Sequence, residues 1–203
     1  MLERTNSILP YFFESDNYFI DEKVNYFKFG NTYKVYNKDA EQVGVITQKV
    51  TGWHKFLRLF LNKAIFPFML EVRDMDQELQ ACIKRGWTFW RSIISIVDHE
   101  DKPVGTIKQK FKLFKPSFVI EDPDGKLLAK ITGDWKAWNF RIEDENQNNI
   151  GTINKKWAGI VKEAFTRADK YYVAIVPEYA EDRSKMAIVS AAITIDMVMK
   201  NFK

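Results

Sequence analysis

The sequence predicts a mainly β fold: a closed antiparallel barrel of about twelve strands enclosing one C-terminal apolar α-helix. Three observations carry this. First, residues 186–199 are apolar on every side of a 3.6-residue helix, interrupted only by Ser190, Thr194 and Asp196. A helix with no polar face has to be surrounded, by lipid or by protein. At 1.5 Å per residue this stretch extends about 21 Å, short of the roughly 20 residues a bilayer core demands, so protein is the expected surrounding.

The second observation is an internal repeat. Five segments superpose without gaps: 35–46, 72–83, 96–107, 120–131 and 142–153. In each, an Asx residue (Asn37, Asp74, Asp98, Asp122 or Asp144) stands two positions after a β-branched residue, seven before Gly or Ala, and nine before Ile. Period-two apolar residues flank a polar turn such as Asp122-Pro-Asp-Gly, which is the signature of a β-hairpin. The third observation is spacing. From Asp74 to Asp144 the repeat returns after 24, 24 and 22 residues, a period that marks an array of supersecondary units. Five hairpins give ten strands. Segments 17–20 and 24–29 before them and 171–176 after them bring the total to about twelve, and a meander that long closes around something.

Taken in order, the chain begins with an N-terminal extension, 1–16, whose Pro10-Tyr-Phe-Phe is placed to fold back onto the barrel. The first hairpin occupies 33–49. The interval from Asn37 to Asp74 is 37 residues, so extra chain is inserted between the first two units. This insertion, 51–67, places Trp53, Phe56, Leu57, Phe60, Leu61, Ala64 and Ile65 on one face of a helix that Pro67 ends. Its other face holds His54, Lys55, Arg58, Asn62 and Lys63, with no acid in the segment. Two readings stand side by side: a cap over one end of the barrel, or a helix lying in a membrane interface with cations against anionic headgroups.

Residues 85–91 read as the continuation of a strand, with Trp87 and Trp90 on opposite faces. In 108–113, strict alternation sets Lys108, Lys110 and Lys112 on one face and Gln109, Phe111 and Leu113 on the other. The lysines make either a cationic ladder suited to phosphates or the solvated guard of an edge strand. Trp135, Trp138 and Trp157 fall near strand ends, where packing against the next strand is their expected role. The final helix spans 183–202, with Asp182 or Ser184 as its cap.

The repeat, the run Glu163-Ala-Phe-Thr-Arg-Ala-Asp-Lys-Tyr-Tyr-Val-Ala-Ile-Val-Pro-Glu178 and the apolar segment from Lys185 to Asp196 resemble the tubby-like C-terminal superfamily. Within it, the phospholipid scramblase and LURP-one-related families are the nearest in pattern. The resemblance runs from about residue 18 onward and implies the barrel with its central helix. Tubby-type members bind phosphoinositide headgroups, and the scramblase name implies phospholipid translocation. The scramblase calcium motif, carried over by residue, puts its first ligand at Arg167, a later one at Asp169 and its last at Glu178. An Arg supplies a cation where Ca²⁺ needs a carboxylate oxygen, so no cofactor is expected and Asp169 with Glu178 is a remnant calcium set.

Composition bounds the rest. With 203 residues and 46% hydrophobic content the chain can bury one core as a single domain, and its mean hydropathy of −0.33 is that of a soluble protein. One cysteine, Cys82, precludes an internal disulfide and points to a reducing compartment. The first residues carry no secretory signal, so the expected location is the cytoplasm, free or peripheral at the inner membrane face. Only His54 and His99 are present, no nucleophile elbow, zinc motif or Gly-rich phosphate loop occurs, and a conventional enzyme is not expected. The net charge of +4 fits an anionic partner. The expected partner is an anionic phospholipid surface bound by Trp53, Lys55, Phe56, Arg58, Phe60, Lys63, Lys108, Lys110 and Lys112. No nucleic-acid motif is present, no protein partner is indicated and a monomer is expected; the competing reading is a soluble ligand-holding or protein-interaction module.

Overall fold

The computed structural model describes residues 9–23, 32–49, 67–87, 93–112, 115–134, 137–155, 170–179 and 183–200. The strands are β1 (Asn17–Lys23), β2 (Thr32–Tyr36), β3 (Gln42–Lys49), β4 (Phe68–Arg73), β5 (Leu79–Arg85) and β6 (Ile93–Asp98). They continue as β7 (Pro103–Lys112), β8 (Lys115–Glu121), β9 (Leu127–Asp134), β10 (Asn139–Glu143), β11 (Asn149–Asn154) and β12 (Lys170–Ile175), and helix α1 (Arg183–Lys200) follows. Each strand pairs antiparallel with the next, and β12 pairs with β1, so the meander closes into a barrel.

The repeat is explained by its hydrogen bonds. In every hairpin the Asx side-chain oxygen accepts from the backbone N–H four residues on: Glu41, Glu78, Lys102, Lys126 and Asn148. The residue three after the Asx lies at positive φ each time, at Ala40, Gln77, Asp101, Gly125 and Gln147. The Asx thereby substitutes for a backbone acceptor in a turn that would otherwise leave a donor bare. Just before each turn the register slips by one residue, after Val35, Val72, Ile96, Ile120 and Ile142. These are the β-branched positions of the repeat, and each sits opposite its small partner, as Val35 does opposite Gly44 and Ile96 opposite Gly105. Why the partner is small is clearest at Gly105, where a Cβ would lie 2.6 Å from the Glu121 carbonyl oxygen of the next strand and 3.3 Å from Ala187 Cβ of the helix. The repeat thus encodes bulge, turn and close approach together.

Helix α1 fills the lumen. Met186 through Ile195 are all at most 3% exposed, the same isolation its lack of a polar face anticipated. One polar residue inside it is satisfied locally, Thr194 Oγ1 donating to the Ser190 carbonyl at 2.6 Å, and Tyr171 of the wall donates to the Ile193 carbonyl at 2.8 Å. No helix among the described residues is long and apolar enough to cross a membrane.

The N-terminal segment is part of the core rather than an appendage. A 3₁₀ turn, Tyr11–Phe13, buries Phe12 and Phe13 completely, edge to face at 5.0 Å, and Phe12 stacks near Tyr18 at 5.6 Å. Beside it the start of α1 is tied down by ion pairs. Lys185, fully buried, donates to Asp16 Oδ1 at 2.7 Å and to the Glu14 carbonyl at 3.2 Å, and Arg183 donates to Asp98 Oδ2 at 2.9 Å.

Three expectations need correction. Strand β5 ends at Arg85, so 85–91 does not run on as one strand; Gly86 and Trp87 already lie outside it. The last strand is Lys170–Ile175, and Val176 instead donates its N–H to the Ile150 carbonyl. Because α1 begins at Arg183, Ser184 belongs to its first turn and does not cap it. Segments 24–29 and 51–66, and residues Trp90, Trp135, Trp157 and Asp182, lie outside the described residues, as does the Asp196 side chain.

Candidate functional site

A strict meander sends alternate connections to opposite ends of the barrel. The five repeat turns and the β12 to α1 connection leave from one end, here the turn end; the remaining connections, 24–31, 50–67, 86–92, 113–114, 135–138 and 155–169, leave from the other, the loop end. Their compositions are opposed. The loop-end connections hold ten basic residues against Glu163 and Asp169, and all six tryptophans of the chain. The turn-end connections, 37–41, 74–78, 99–102, 122–126, 144–148 and 176–182, hold fourteen acidic residues against Lys38, Lys102 and Lys126, and no tryptophan.

The same polarity reaches the strand termini. At the loop end, Lys23, Lys49, Arg85, Lys112, Lys115 and Lys170 occupy terminal positions, with Asp134 the acid among them. At the turn end the charged terminal positions are Arg73, Asp98, Glu121 and Glu143. Two of the turn-end acids, Asp98 and Asp144, are held ionised. Burial pushes the Asp98 carboxyl up, but the Lys102 N–H, the Arg183 guanidinium and the Glu100 N–H more than offset it, and the net shift is downward. Asp144 is likewise held below the usual carboxylate range, first by the Asn148 side chain.

At the loop end, cations sit on aromatic faces. The Arg85 guanidinium lies 4.6 Å from the centre of the Phe68 ring, and Lys155 Nζ lies 4.2 Å above Trp138. Trp138, buried and at φ 50°, packs on Phe140 and Tyr171. This is the wall-packing role expected of it. Trp87 and Ile93 stand at the two ends of the β5 to β6 connection, 47% and 51% exposed.

Of the lysine face on β7, Lys108 and Lys110 alternate with buried Gln109 as the sequence pattern requires. Lys108 forms an ion pair with Glu121 of β8. Lys110 is exposed opposite Ser117, with no carboxylate at ion-pair distance among the described residues. Lys112 ends β7, and its side chain lies outside the described residues. Trp53, Lys55, Phe56, Arg58, Phe60 and Lys63 also lie outside them, but their connection starts at Lys49 and returns at Phe68, both at the loop end.

The calcium expectation divides in the same way. Arg167 and Asp169 lie outside the described residues; Glu178 is exposed in the turn after β12. Among the described residues no group of three His, Cys, Asp or Glu is placed to hold a metal ion. Cys82 is buried on β5, and burial pushes its thiol up, so the thiolate is disfavoured.

A closed twelve-stranded antiparallel barrel that encloses its own C-terminal helix defines a fold class, and an X-ray structure of a protein from Arabidopsis thaliana shares it. The two superpose with a TM-score of 0.55 over 95% of this chain and 99% of that one, at 7% identity, which is a likeness of fold alone. The family follows from sequence: the Scramblase family model matches residues 16–201, and this chain belongs to the scramblase family. Human phospholipid scramblase family member 5 is 29% identical over 102 residues, 47% of this chain and 37% of that protein. Human phospholipid scramblase 1 is 28% identical over 103 residues, covering 47% and 32%. The matched stretch therefore spans about a third of those relatives. The family is one of lipid transport and not of bond chemistry, which agrees with the non-catalytic expectation.

Proposed function

We propose that this protein binds anionic phospholipid surfaces peripherally with the loop end of its barrel, in support of phospholipid scrambling, at the cytoplasmic face of a membrane. The observation that carries this is the opposed composition of the two ends: ten basic residues and six tryptophans in one set of connections, fourteen acids in the other. A protein so polarised is oriented by a negative surface before it touches it. Tryptophan suits the interfacial layer, where its ring is half apolar and half wet. Within that end the binding residues are Trp53, Lys55, Phe56, Arg58, Phe60 and Lys63 of the inserted segment, with Lys108, Lys110 and Lys112 on β7. Because α1 is enclosed by the barrel wall, membrane contact falls to the outer surface.

The competing reading is a soluble ligand-holding or protein-interaction module; a lumen filled with the side chains of α1 speaks against a ligand held there and leaves the protein-interaction form to the test that follows. The test is co-sedimentation with phosphatidylcholine vesicles and with vesicles containing phosphatidylserine, at low and high salt, with and without Ca²⁺. Binding that needs the anionic lipid and weakens with salt is the expected result. Replacing Lys55, Arg58 and Lys63 together by Glu is expected to abolish it while the fold survives. Absence of binding under every condition would return the protein to the soluble-module reading, and its search for partners to other proteins.

A further inference from the structure

We infer that Trp87 and Ile93, at the neighbouring ends of β5 and β6, are the apolar anchor of this protein on the membrane, seated in the interfacial layer of an anionic phospholipid surface with the barrel standing end-on. The inference deepens the lipid-binding reading and rests on it.

Exposed large apolar side chains are few among the described residues, and they fall at both ends of the barrel. Tyr11 and Met75, 62% and 50% exposed, lie at the turn end; Trp87 and Ile93, 47% and 51%, lie at the loop end. Apolar exposure by itself therefore does not choose an end. Charge does. Met75 sits between Asp74 and Asp76, in a connection with no base, and an anionic surface repels it. Ile93 sits beside the lysine face: it is directly opposite Lys108 in the β6 to β7 pairing, and Lys110 lies one step further along the same face. Trp87 follows Arg85 by two residues, at the end of the barrel whose connections are basic.

Together these residues make an apolar point beside the exposed Lys110, at the end of the barrel whose connections are basic; Arg85 itself is buried and Lys108 is paired with Glu121. That arrangement places rings and aliphatic carbons below the headgroups while ammonium groups meet phosphates at the same depth. Two adjacent strand ends, rather than one loop, hold the pair, so its position is set by the β5 to β6 register, Arg85 opposite Ile94. Neither residue belongs to the inserted segment, so variants of the pair test the anchor without altering that segment. The acidic turn end then points into solvent.

The experiment uses the full chain with vesicles of phosphatidylcholine and phosphatidylserine. In a Cys82→Ser background a single cysteine is placed at Ile93 or at Met75 and labelled with an environment-sensitive fluorophore. Expected is a blue shift and protection from an aqueous quencher at position 93 on adding vesicles, and no change at position 75. In parallel, Trp87→Glu with Ile93→Glu is expected to weaken vesicle partitioning at least about tenfold, whereas Tyr11→Glu with Met75→Glu leaves it unchanged. Equal responses at 93 and 75, or undiminished binding by the Trp87/Ile93 variant, would overturn the end-on anchor while leaving lipid binding intact. If the unaltered protein does not bind the vesicles at all, the parent reading fails and the anchor with it.

Discussion

At the turn end of the barrel five reversals repeat one another hydrogen bond for hydrogen bond, whereas the connections at the loop end run from the two residues of 113–114 to the eighteen of 50–67. The turn end is acidic because its geometry asks for Asx. A side-chain oxygen must accept the N–H four residues on, and the solvated positions beside it carry further acids. No such demand acts at the loop end, where chain length and composition are free to serve a partner. The two ends therefore separate what holds the barrel from what it presents. Helix α1 is clamped where the wall is regular, through Lys185 with Asp16 and Arg183 with Asp98.

If this division holds, substitutions at the clamped end and in the lumen should act on stability, and those at the loop end on binding. The largest effect belongs to the lumen. Ile188→Asp buries a carboxylate at a fully enclosed position, and we expect a loss of more than about 4 kcal/mol, a large part of the stability of a typical domain. Thermal melting followed by circular dichroism reads it directly. An Ile188→Asp variant that melts with the unaltered protein would mean that α1 can leave the barrel, and the enclosed helix would have to be reconsidered as a membrane element.

Next is Lys185→Ala. It strips the ammonium from Asp16 and from the Glu14 carbonyl, which also hold the 3₁₀ turn against the start of α1. Breaking a buried pair by removing one partner costs about 3 to 5 kcal/mol. Asp16, at 29% side-chain exposure, can turn to water, so a smaller loss, about 2 to 3 kcal/mol, is expected in urea titration. Lys110→Ala, the same chemical change at the loop end, should shift the same midpoint by less than about 0.5 kcal/mol. Similar shifts for the two would erase the distinction.

The barrel was legible in sequence wherever one residue type does one repeated thing. An Asx at a fixed distance from a small residue and from Ile reveals the hairpin turn five times, while the bulge and close approach beside it show only in the register, and an all-apolar helix reveals its own enclosure. What escaped the sequence depends on partners far apart in the chain. The return of Pro10-Tyr-Phe-Phe onto the barrel was legible, but Lys185 reads as a helix-end surface cation until Asp16, 169 positions away, is brought beside it. The β5 boundary was lost because the alternation of Trp87 and Trp90 imitates a strand beyond Arg85. At the candidate site the lysine face was legible from alternation, but the pairing of Lys108 with Glu121 needs the β7 to β8 register, which the pattern of one strand does not contain.

A smaller effect on stability tests the acids of the turn end. Asp98→Asn removes the charge that accepts Arg183 and keeps the amide able to accept the Lys102 N–H, so about 1 to 2 kcal/mol should be lost at neutral pH. The sign of its pH dependence follows from the depressed carboxyl. Its contribution is fully present above the ordinary value of 3.8 and is lost as pH falls through the lower folded value. The unaltered protein should therefore lose stability in that acid window, and Asp98→Asn should show a shallower loss there. Identical acid limbs would place the clamp's strength elsewhere.

The smallest effect on stability is expected where the effect on binding decides the comparison. Lys110→Gln keeps the aliphatic stem and the β7 alternation while removing one exposed charge that has no carboxylate near it among the described residues. With no ion pair broken and no polar group buried, the unfolding midpoint should stay within about 0.5 kcal/mol. A lysine near an anionic surface is worth about 1 kcal/mol, so vesicle binding should weaken roughly fivefold, and the difference should fade as salt shortens the reach of the charge. Lys126→Gln, an exposed lysine of the turn end, is the matched control and should leave binding unchanged. A salt-sensitive loss with Lys110→Gln alone assigns the lysine face to the lipid; equal behaviour of the two lysines makes it the solvated guard of a strand.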